Sequence, residues 1–335
     1  MNHFSNNIIK WFELNQRDLP WRHTNIPYLI WISEVMLQQT QALTVIPYYE
    51  RFIKALPTVY DLAQVEDDRL YKLWEGLGYY SRAKNLKETA LTLVEKYQGT
   101  IPNTYEDLIK LKGIGDYTAS AILSIAYQKP SVAVDGNVLR VMSRYLGIKE
   151  DISLLETKNY IKHHLSGLIN QPTRSFTEGL IELGATICSK TKPNCLICPI
   201  KDNCFAYNNN LTGLIPYKSK AKDKKEMIMQ TFILKDLKGR TLLKRQTETL
   251  LNGLYLYPQV NSENLNYAID ALDSLGIQVL NLNKTKSYKH VFTHLVWHMD
   301  VHFGICEVNN DEYVLVEEKD LPLYPMASAH KKIKK

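Results

Sequence analysis

The stretch LKGIGDYTAS, residues 111–120, sets two glycines around one isoleucine, and the apolar run YTASAILSIAYQ starts inside it. It fits a dinucleotide fingerprint poorly, because that motif needs three spaced glycines between a strand and a helix. It fits a hairpin joining two helices well. Glycine permits positive φ and lets a ligand come close to the backbone. The free amides opening the next helix point outward with the helix dipole behind them, so a neutral hairpin of this kind can grip an anion such as a phosphate.

On both sides of the hairpin the pattern stays helical, from the N-terminus to about residue 205. NLKETALTLVEKYQG (85–99) repeats Leu86, Ala90, Leu93, Val94 and Tyr97 at helical spacing and ends on Gly99. NTYEDLIKL (103–111) offers Thr104 as an N-cap with Asp107 three residues later. DGNVLRVMSRYLG (135–147) gathers Val138, Val141, Met142 and Tyr145 on one side, and TEGLIELGATIC (177–188) leads into a cysteine-rich loop. No convincing strand is found in this half. The period becomes two after a polar, basic stretch, NNNLTGLIPYKSKAKDKKE (208–226). EMIMQTFILKD and RTLLKRQ read as strands, and in THLVWHMDVHFG the residues Leu295, Trp297, Met299, Val301 and Phe303 alternate with mostly polar neighbours. NLNYAIDALDSLG reads as a helix. The expected chain is therefore multidomain: an all-α region 1–205, a basic linker 206–226 and an α+β domain 227–335, with no internal repeat.

The 335 residues carry 45% hydrophobic and 23% charged side chains, ordinary for a soluble globular protein. The net charge of +6 is local, since Lys218–Lys225 holds five lysines and one aspartate and the tail holds Lys331, Lys332, Lys334 and Lys335. Without these two segments, 32 basic residues face 34 acidic ones. Overall charge is thus weak evidence for nucleic-acid binding, and any basic face must come from folding. The N-terminus lacks the apolar core of a signal peptide, and no run of about 18 apolar residues exists to span a membrane. A cytoplasmic monomer with no membrane partner is expected.

Four of five cysteines, Cys188, Cys195, Cys198 and Cys204, lie within 17 residues, spaced C-x6-C-x2-C-x5-C. Disulfides are improbable in a cytosolic chain, so clustered thiols point to metal. Zinc and iron–sulfur both suit soft thiolate ligands, and the spacing matches neither paired zinc knuckles nor the ferredoxin run.

Several motifs occurring in one order now carry a resemblance. The cysteine spacing directly after a helix resembles the iron–sulfur loop of the endonuclease III superfamily of DNA glycosylases. LKGIGDYTASA resembles its helix-hairpin-helix, and AVDGNVLRV resembles the aspartate-bearing segment that follows. WISEVMLQQTQALTVIPYYERF and WEGLGYYSRAKNL resemble one branch, the MutY-type adenine DNA glycosylases, and the match runs from about Trp11 to Cys204. The resemblance implies a 4Fe–4S cluster on Cys188, Cys195, Cys198 and Cys204. That cluster would shape a DNA-contacting loop whose charge comes from Lys190, Lys192 and Lys201. It implies that Gly113 and Gly115 grip the DNA backbone, a contact that positions a duplex without reading bases.

The implied reaction is hydrolysis of the N-glycosidic bond of adenine opposite 8-oxoguanine or guanine in double-stranded DNA, on a base flipped out of the helix. Breaking that bond needs a proton donor and an anion for the cationic sugar, which two carboxylates in different environments supply. Glu34 sits among Ile30, Trp31, Val35 and Leu37. Such company raises a carboxyl pKa, and the family reading makes it the acid that protonates N7 of adenine and also positions water. Asp135 would be the anion that stabilises the sugar and forms a transient covalent bond. Tyr117 stands where bifunctional relatives carry a Schiff-base lysine, so strand cleavage is not expected. The resemblance further implies Gln39, Leu77 and Tyr79 beside the lesion, and Arg22 and Glu178 lining the adenine pocket.

The second domain resembles a Nudix-like module that reads 8-oxoguanine. GLYLYPQ and ALDSLGIQV carry that resemblance, but Ile269, Asp270, Asp273 and Ser274 stand where Nudix hydrolases place metal-binding glutamates. Magnesium-dependent hydrolysis is therefore not expected. Phe292, Thr293 and His294 replace the family's Phe-Ser-His recognition loop, so Thr293 and His294 are expected at the DNA. His290, His294, His298 and His302 recur every fourth residue, and one strand would space them too far apart to share an ion. Three rival readings are weaker. Tyr117 and the second domain argue against an endonuclease III-like lyase. Glu34 with Asp135 argues against a non-catalytic DNA-binding module, and the missing glutamates argue against a Nudix hydrolase.

Overall fold

The computed structural model describes residues 3–169, 171–219, 223–248 and 250–333, with the side chain of Lys284 left out. Lys220 and Lys222 of the basic stretch, and Lys334 and Lys335 of the tail, lie outside the described residues. The chain divides into two compact units, residues 1–64 with 84–220, and residues 65–83 with 221–335.

The helices in chain order are α1 His3–Asn15, α2 Pro27–Leu37, α3 Ala42–Ala55, α4 Val59–Gln64, α5 Asp67–Trp74, α6 Ser81–Tyr97, α7 Tyr105–Leu108, α8 Asp116–Ala121, α9 Gly136–Leu146, α10 Leu155–Ser166, α11 Thr173–Thr186 and α12 Phe205–Asn208. Their boundaries follow local chemistry. Thr104 accepts from the Asp107 amide and caps α7, Pro27 opens α2 where a missing N–H is harmless, and Gly147 ends α9 in the left-handed region. One wide turn, Ile122–Ala126, continues α8 as a π-helix. In the first unit α1, α9, α10 and α11 share a core through Ile8, Val138, Met142, Ile161, Leu165, Phe176, Leu180 and Leu183. A second cluster joins Ile30 of α2 to Ala121, Ile125 and Ala133, with Tyr117 packed against it. Helix α2 is buried continuously from Ile30 to Met36, so Glu34 lies in a helix with no solvent face at that point.

Part of the expected basic linker 206–226 is docked on the first unit. Ile215 is buried, its carbonyl accepts from Arg144 Nε at 2.8 Å, and the Ile152 amide donates to the Tyr217 carbonyl at 3.1 Å. Isolated apolar residues in a polar stretch gave no period, yet they suffice to dock it.

The second unit is a mixed sheet. Its strands are β1 Lys225–Lys235, β2 Thr241–Arg245, β3 Tyr255–Leu256, β4 Gln259–Asn261, β5 Ile277–Val291, β6 Leu295–Val308 and β7 Tyr313–Val316, with α13 Leu265–Ser274 and α14 Ser328–Lys331. The spatial order is β3-β2-β1-β6-β5, with β4 on β1 and β7 on β2, and β1 runs parallel to β6. Alternation sends Met229 and Ile233 of β1 to one core with Trp297 and Met299, and Phe232 and Leu234 to the other with Ala268 and Leu272 of α13. Ile269, one of the positions where a Nudix metal ligand was sought, packs against this second core. The four histidines do not lie on one strand. The chain reverses between β5 and β6, so His290 stands opposite Trp297, and His298 opposite Lys289. Residues 65–83 join this unit partly through Asp68, which pairs with Arg245 at 2.9 Å and accepts from Tyr255 OH at 3.4 Å.

Candidate active site

Three elements of the first unit bring the predicted carboxylates and the tyrosine together. Glu34 projects from α2, Tyr117 from the first turn of α8, and Asp135 from the start of α9. The Tyr117 hydroxyl donates to Glu34 Oε2 at 2.8 Å. Glu34 is only 5% exposed, and burial pushes its pKa up to about 7. The Tyr117 hydrogen bond opposes the rise, repulsion from Glu178 and Asp135 adds to it, and the Arg22 cation opposes it. A carboxyl poised near neutrality suits general acid work. Burial and the neighbouring carboxylates raise the Tyr117 phenol well above its ordinary value, so it remains a donor.

Asp135 is also the N-cap of α9. Its Oδ1 accepts from the amides of Asn137 (2.9 Å) and Val138 (2.8 Å), and Oδ2 accepts from Asn137 Nδ2 (2.7 Å). Burial raises its pKa, and these three bonds work against the rise. The capping and anionic readings are therefore compatible: the amides that satisfy the helix also hold the carboxylate still. Asn137 is held in turn by Arg140, whose Nη2 donates to Asn137 Oδ1 at 2.8 Å and to the Gly184 carbonyl at 2.7 Å. Arg140 Nε donates to the Cys188 carbonyl at 2.8 Å. A continuous polar chain thus runs from Asp135 to the cysteine loop.

Arg22 and Glu178 adjoin these groups, within a larger ionic cluster that sequence reasoning missed. Glu182 accepts from Arg17 Nε (2.7 Å) and Nη2 (2.8 Å) and from Arg22 Nη2 (2.8 Å). Arg174 Nε donates to Glu178 Oε2 at 2.8 Å. Burial works to raise Glu182, but its two arginines outweigh it and hold the carboxyl down to about 2. The missed signal was Glu178 and Glu182 at i, i+4 on a helix whose buried face also carries Phe176, Leu180 and Leu183, where carboxylates must find cations.

At the hairpin, Gly113 has φ +77°, and a Cβ there would meet Asn85 Cβ at 2.7 Å, so glycine is required. Gly115 caps α8 with open space around it. Asp116 follows, bound by Tyr105 OH at 2.7 Å and by Lys162. Gln39 is exposed with φ +58°, a strained backbone for a non-glycine residue of the kind that clusters at functional sites.

In the second unit Tyr79 has φ +49° and is exposed, and its hydroxyl lies 2.5 Å from Thr293 Oγ1. His294 is exposed beside it. Leu77 is 6% exposed, and its carbonyl accepts from Arg82. His302 is buried and bonded to Gln230 (2.6 Å) and Thr285 (3.1 Å), with its pKa lowered by burial.

The four clustered cysteines line one hollow with Val141, Leu183, Ile187, Pro193 and Ile200. Arg144 Nη1 reaches Cys188 Sγ at 3.4 Å and the Ser189 carbonyl at 2.7 Å. Among the described residues no three His, Cys, Asp or Glu side chains converge on a single ion. Lys190 and Lys192 are exposed in the same loop, and Lys201 lines the hollow. Among the described residues no helix is long and apolar enough to cross a membrane.

Residues 32–171 match the HhH-GPD superfamily of base excision DNA repair proteins, and residues 230–335 match the NUDIX domain. The chain is 38% identical over 302 residues to the adenine DNA glycosylase of Buchnera aphidicola subsp. Baizongia pistaciae (strain Bp), spanning 89% of this chain and 84% of that protein. It is 40% identical over 242 residues to the adenine DNA glycosylase of Rattus norvegicus, spanning 68% of this chain and 46% of that one. Among solved structures, a thermostable thymine-DNA glycosylase superposes with a TM-score of 0.57 at 30% identity, over 62% of this chain and 95% of that one. Endonuclease III trapped in a covalent intermediate with DNA superposes at 0.53 and 24% identity over the same shares, which speaks for the fold.

Proposed function

The chain belongs to the adenine DNA glycosylase family of base excision repair, and from that premise we propose that it excises adenine opposite 8-oxoguanine or guanine without cutting the strand. The observation that carries the reading is the meeting of buried Glu34 with half-buried Tyr117 and Asp135. Glu34, which keeps its proton below about pH 7, donates it to N7 of the flipped adenine. The C1′–N9 bond breaks, its electron pair leaves with the base, and the sugar becomes an oxocarbenium-like cation. Asp135, ionised and held by its cap bonds, stabilises that cation and takes C1′ in a transient covalent bond. Water then replaces it, with Glu34 as carboxylate receiving the proton. Tyr117 fixes the Glu34 carboxyl, and its phenol forms no imine with the abasic sugar, which favours a monofunctional enzyme.

The double-stranded partner is gripped at Gly113 and Gly115 and flanked by Gln39. Tyr79, Thr293 and His294 face the lesion strand, the threonine keeping the hydroxyl of the family's serine. Arg22 and Glu178 contact the adenine. The protein acts as a cytoplasmic monomer. The four cysteines hold a 4Fe–4S cluster, whose contribution is to shape the loop that carries Lys190, Lys192 and Lys201. All four thiols line one hollow, and thiolates are soft ligands of the kind an iron–sulfur cluster takes.

The test is single-turnover excision from duplexes carrying adenine opposite 8-oxoguanine, guanine or thymine, followed by borohydride trapping. Release from the first two without a trapped adduct agrees with the proposal. No adenine release from any duplex refutes it, and efficient lyase-type trapping refutes the monofunctional part.

A further inference from the structure

Helix α11 carries Glu178 and Glu182 one turn apart, both nearly buried. Glu182, 1% exposed, is bonded by Arg17 through both ends of its guanidinium fork and by Arg22. Arg22 is thereby fixed at two nitrogens, since Nη1 also donates to the Arg17 carbonyl at 2.7 Å while Phe12 lies under the guanidinium at 5.0 Å. Its third nitrogen, Nε, is buried, finds no hydrogen-bond acceptor among the described residues, and stands 3.9 Å from Glu178 Oε1. A buried donor left without an acceptor is costly unless a ligand completes it.

Four cations, Arg17, Arg22, Arg174 and Arg140, stand with three carboxylates, Glu178, Glu182 and Asp135, so Glu182 offsets part of an excess of positive charge. Removing its charge makes the cluster more positive, which favours ionised Glu34.

We propose that Glu182, which touches no reacting atom, is the positioning residue of this site: it pins Arg22 with Nε–H left unbonded beside Glu178, and it balances the cation that would otherwise pull the proton from Glu34. The purine ring offers ring-nitrogen acceptors for that free N–H. The assignment rests on the reading of Glu34 as the acid. The groups facing Glu34 are Tyr117, Glu178, Asp135 and Arg22, and those facing Glu182 are Arg17 and Arg22.

The experiment is the pH profile of single-turnover excision by the full-length, cluster-loaded protein and its Glu182→Gln, Glu182→Asp and Arg17→Met variants. Glu182→Gln keeps the shape but not the charge, and its alkaline limb moves to lower pH by about half a unit or more. Glu182→Asp keeps the charge and holds the limb at its wild-type position even where the rate falls. Arg17→Met strips a cation from Glu182 and moves the limb the other way, by less, because the Arg17 side chain is 37% exposed and screened. General loosening of the fold does not produce opposite shifts. Should Glu182→Gln not fold, the upward shift in Arg17→Met decides alone. Limbs that stay together in all foldable variants, beside a normal wild-type limb, overturn the role of Glu182 only. A wild-type rate that does not fall on the alkaline side removes the Glu34 acid, and this proposal with it.

Discussion

The Tyr117 hydroxyl donates to Glu34 Oε2 across 2.8 Å, linking the hairpin helix to the buried helix α2. The bond stabilises the carboxylate form and so holds down a pKa that burial alone would drive higher. Replacing Tyr117 with Phe keeps the ring and removes the donor. The alkaline limb of excision therefore moves to higher pH, and the plateau rate drops about tenfold as the freed carboxyl loses its orientation. A pH–rate profile checks both, and a limb that moves to lower pH contradicts the assignment.

Glu34 also costs stability. Its folded pKa of about 7 exceeds the ordinary carboxylate value of 4.5. The folded state thus binds the proton more tightly than the unfolded state. The penalty is absent below about pH 4.5, grows through the interval and is full above about 7. Glu34→Gln should therefore stabilise the protein by roughly 2–3 kcal/mol at pH 8 and far less at pH 4.5. Urea unfolding at the two pH values measures this, and equal effects at both contradict it.

The polar chain from Asp135 to the cysteine loop depends on close helix packing. A Cβ on Gly184 of α11 would meet Asn137 Cβ at 2.6 Å and the Asn137 carbonyl oxygen at 3.0 Å. Gly184→Ala must push α9 away, costing about 1–3 kcal/mol, and it displaces the side chain that holds Asp135. Arg140→Gln loosens the same residue without a steric clash. Both should lower the excision rate by at least tenfold with iron content retained, as single-turnover rates and iron analysis will show.

On the proposal that the four cysteines hold a 4Fe–4S cluster, Cys198→Ala should remove it. Iron and acid-labile sulfide fall from about four per chain towards zero. The loop 188–204 then loses its anchor, and affinity for duplex DNA falls with a smaller salt dependence, because Lys190 and Lys192 no longer face the backbone together. Unchanged affinity and salt slope would mean that the loop is not a DNA contact.

Most of the helical unit was legible because each clue was local. Thr104 with Asp107 capped a helix as expected, and the glycines of the hairpin took the turn. Asp135 and Glu34 stood out through their motifs, but their environments came from three elements distant in sequence. The pairing of Glu182 with Arg17 spans 165 residues and left only the i, i+4 glutamates as a trace. Strand β5 was not read, because KTKSYKH masks its alternation with charge on an exposed face. The reversal between β5 and β6 went unseen as well, since a turn of Phe292, Thr293 and His294 carries neither glycine nor proline. The grouping of residues 65–83 with the second unit rests on contacts across more than a hundred residues, such as Asp68 with Arg245.

The most direct measurement is base release by Glu34→Gln on a duplex carrying adenine opposite 8-oxoguanine, paired with the affinity of the same protein for that duplex. Gln preserves shape and the Tyr117 contact but cannot donate an acidic proton. The expected result is affinity within a few-fold of the parent and excision slowed by about a thousandfold or more. Near-normal excision by this variant would contradict the central claim that the buried Glu34 carboxyl is the proton donor.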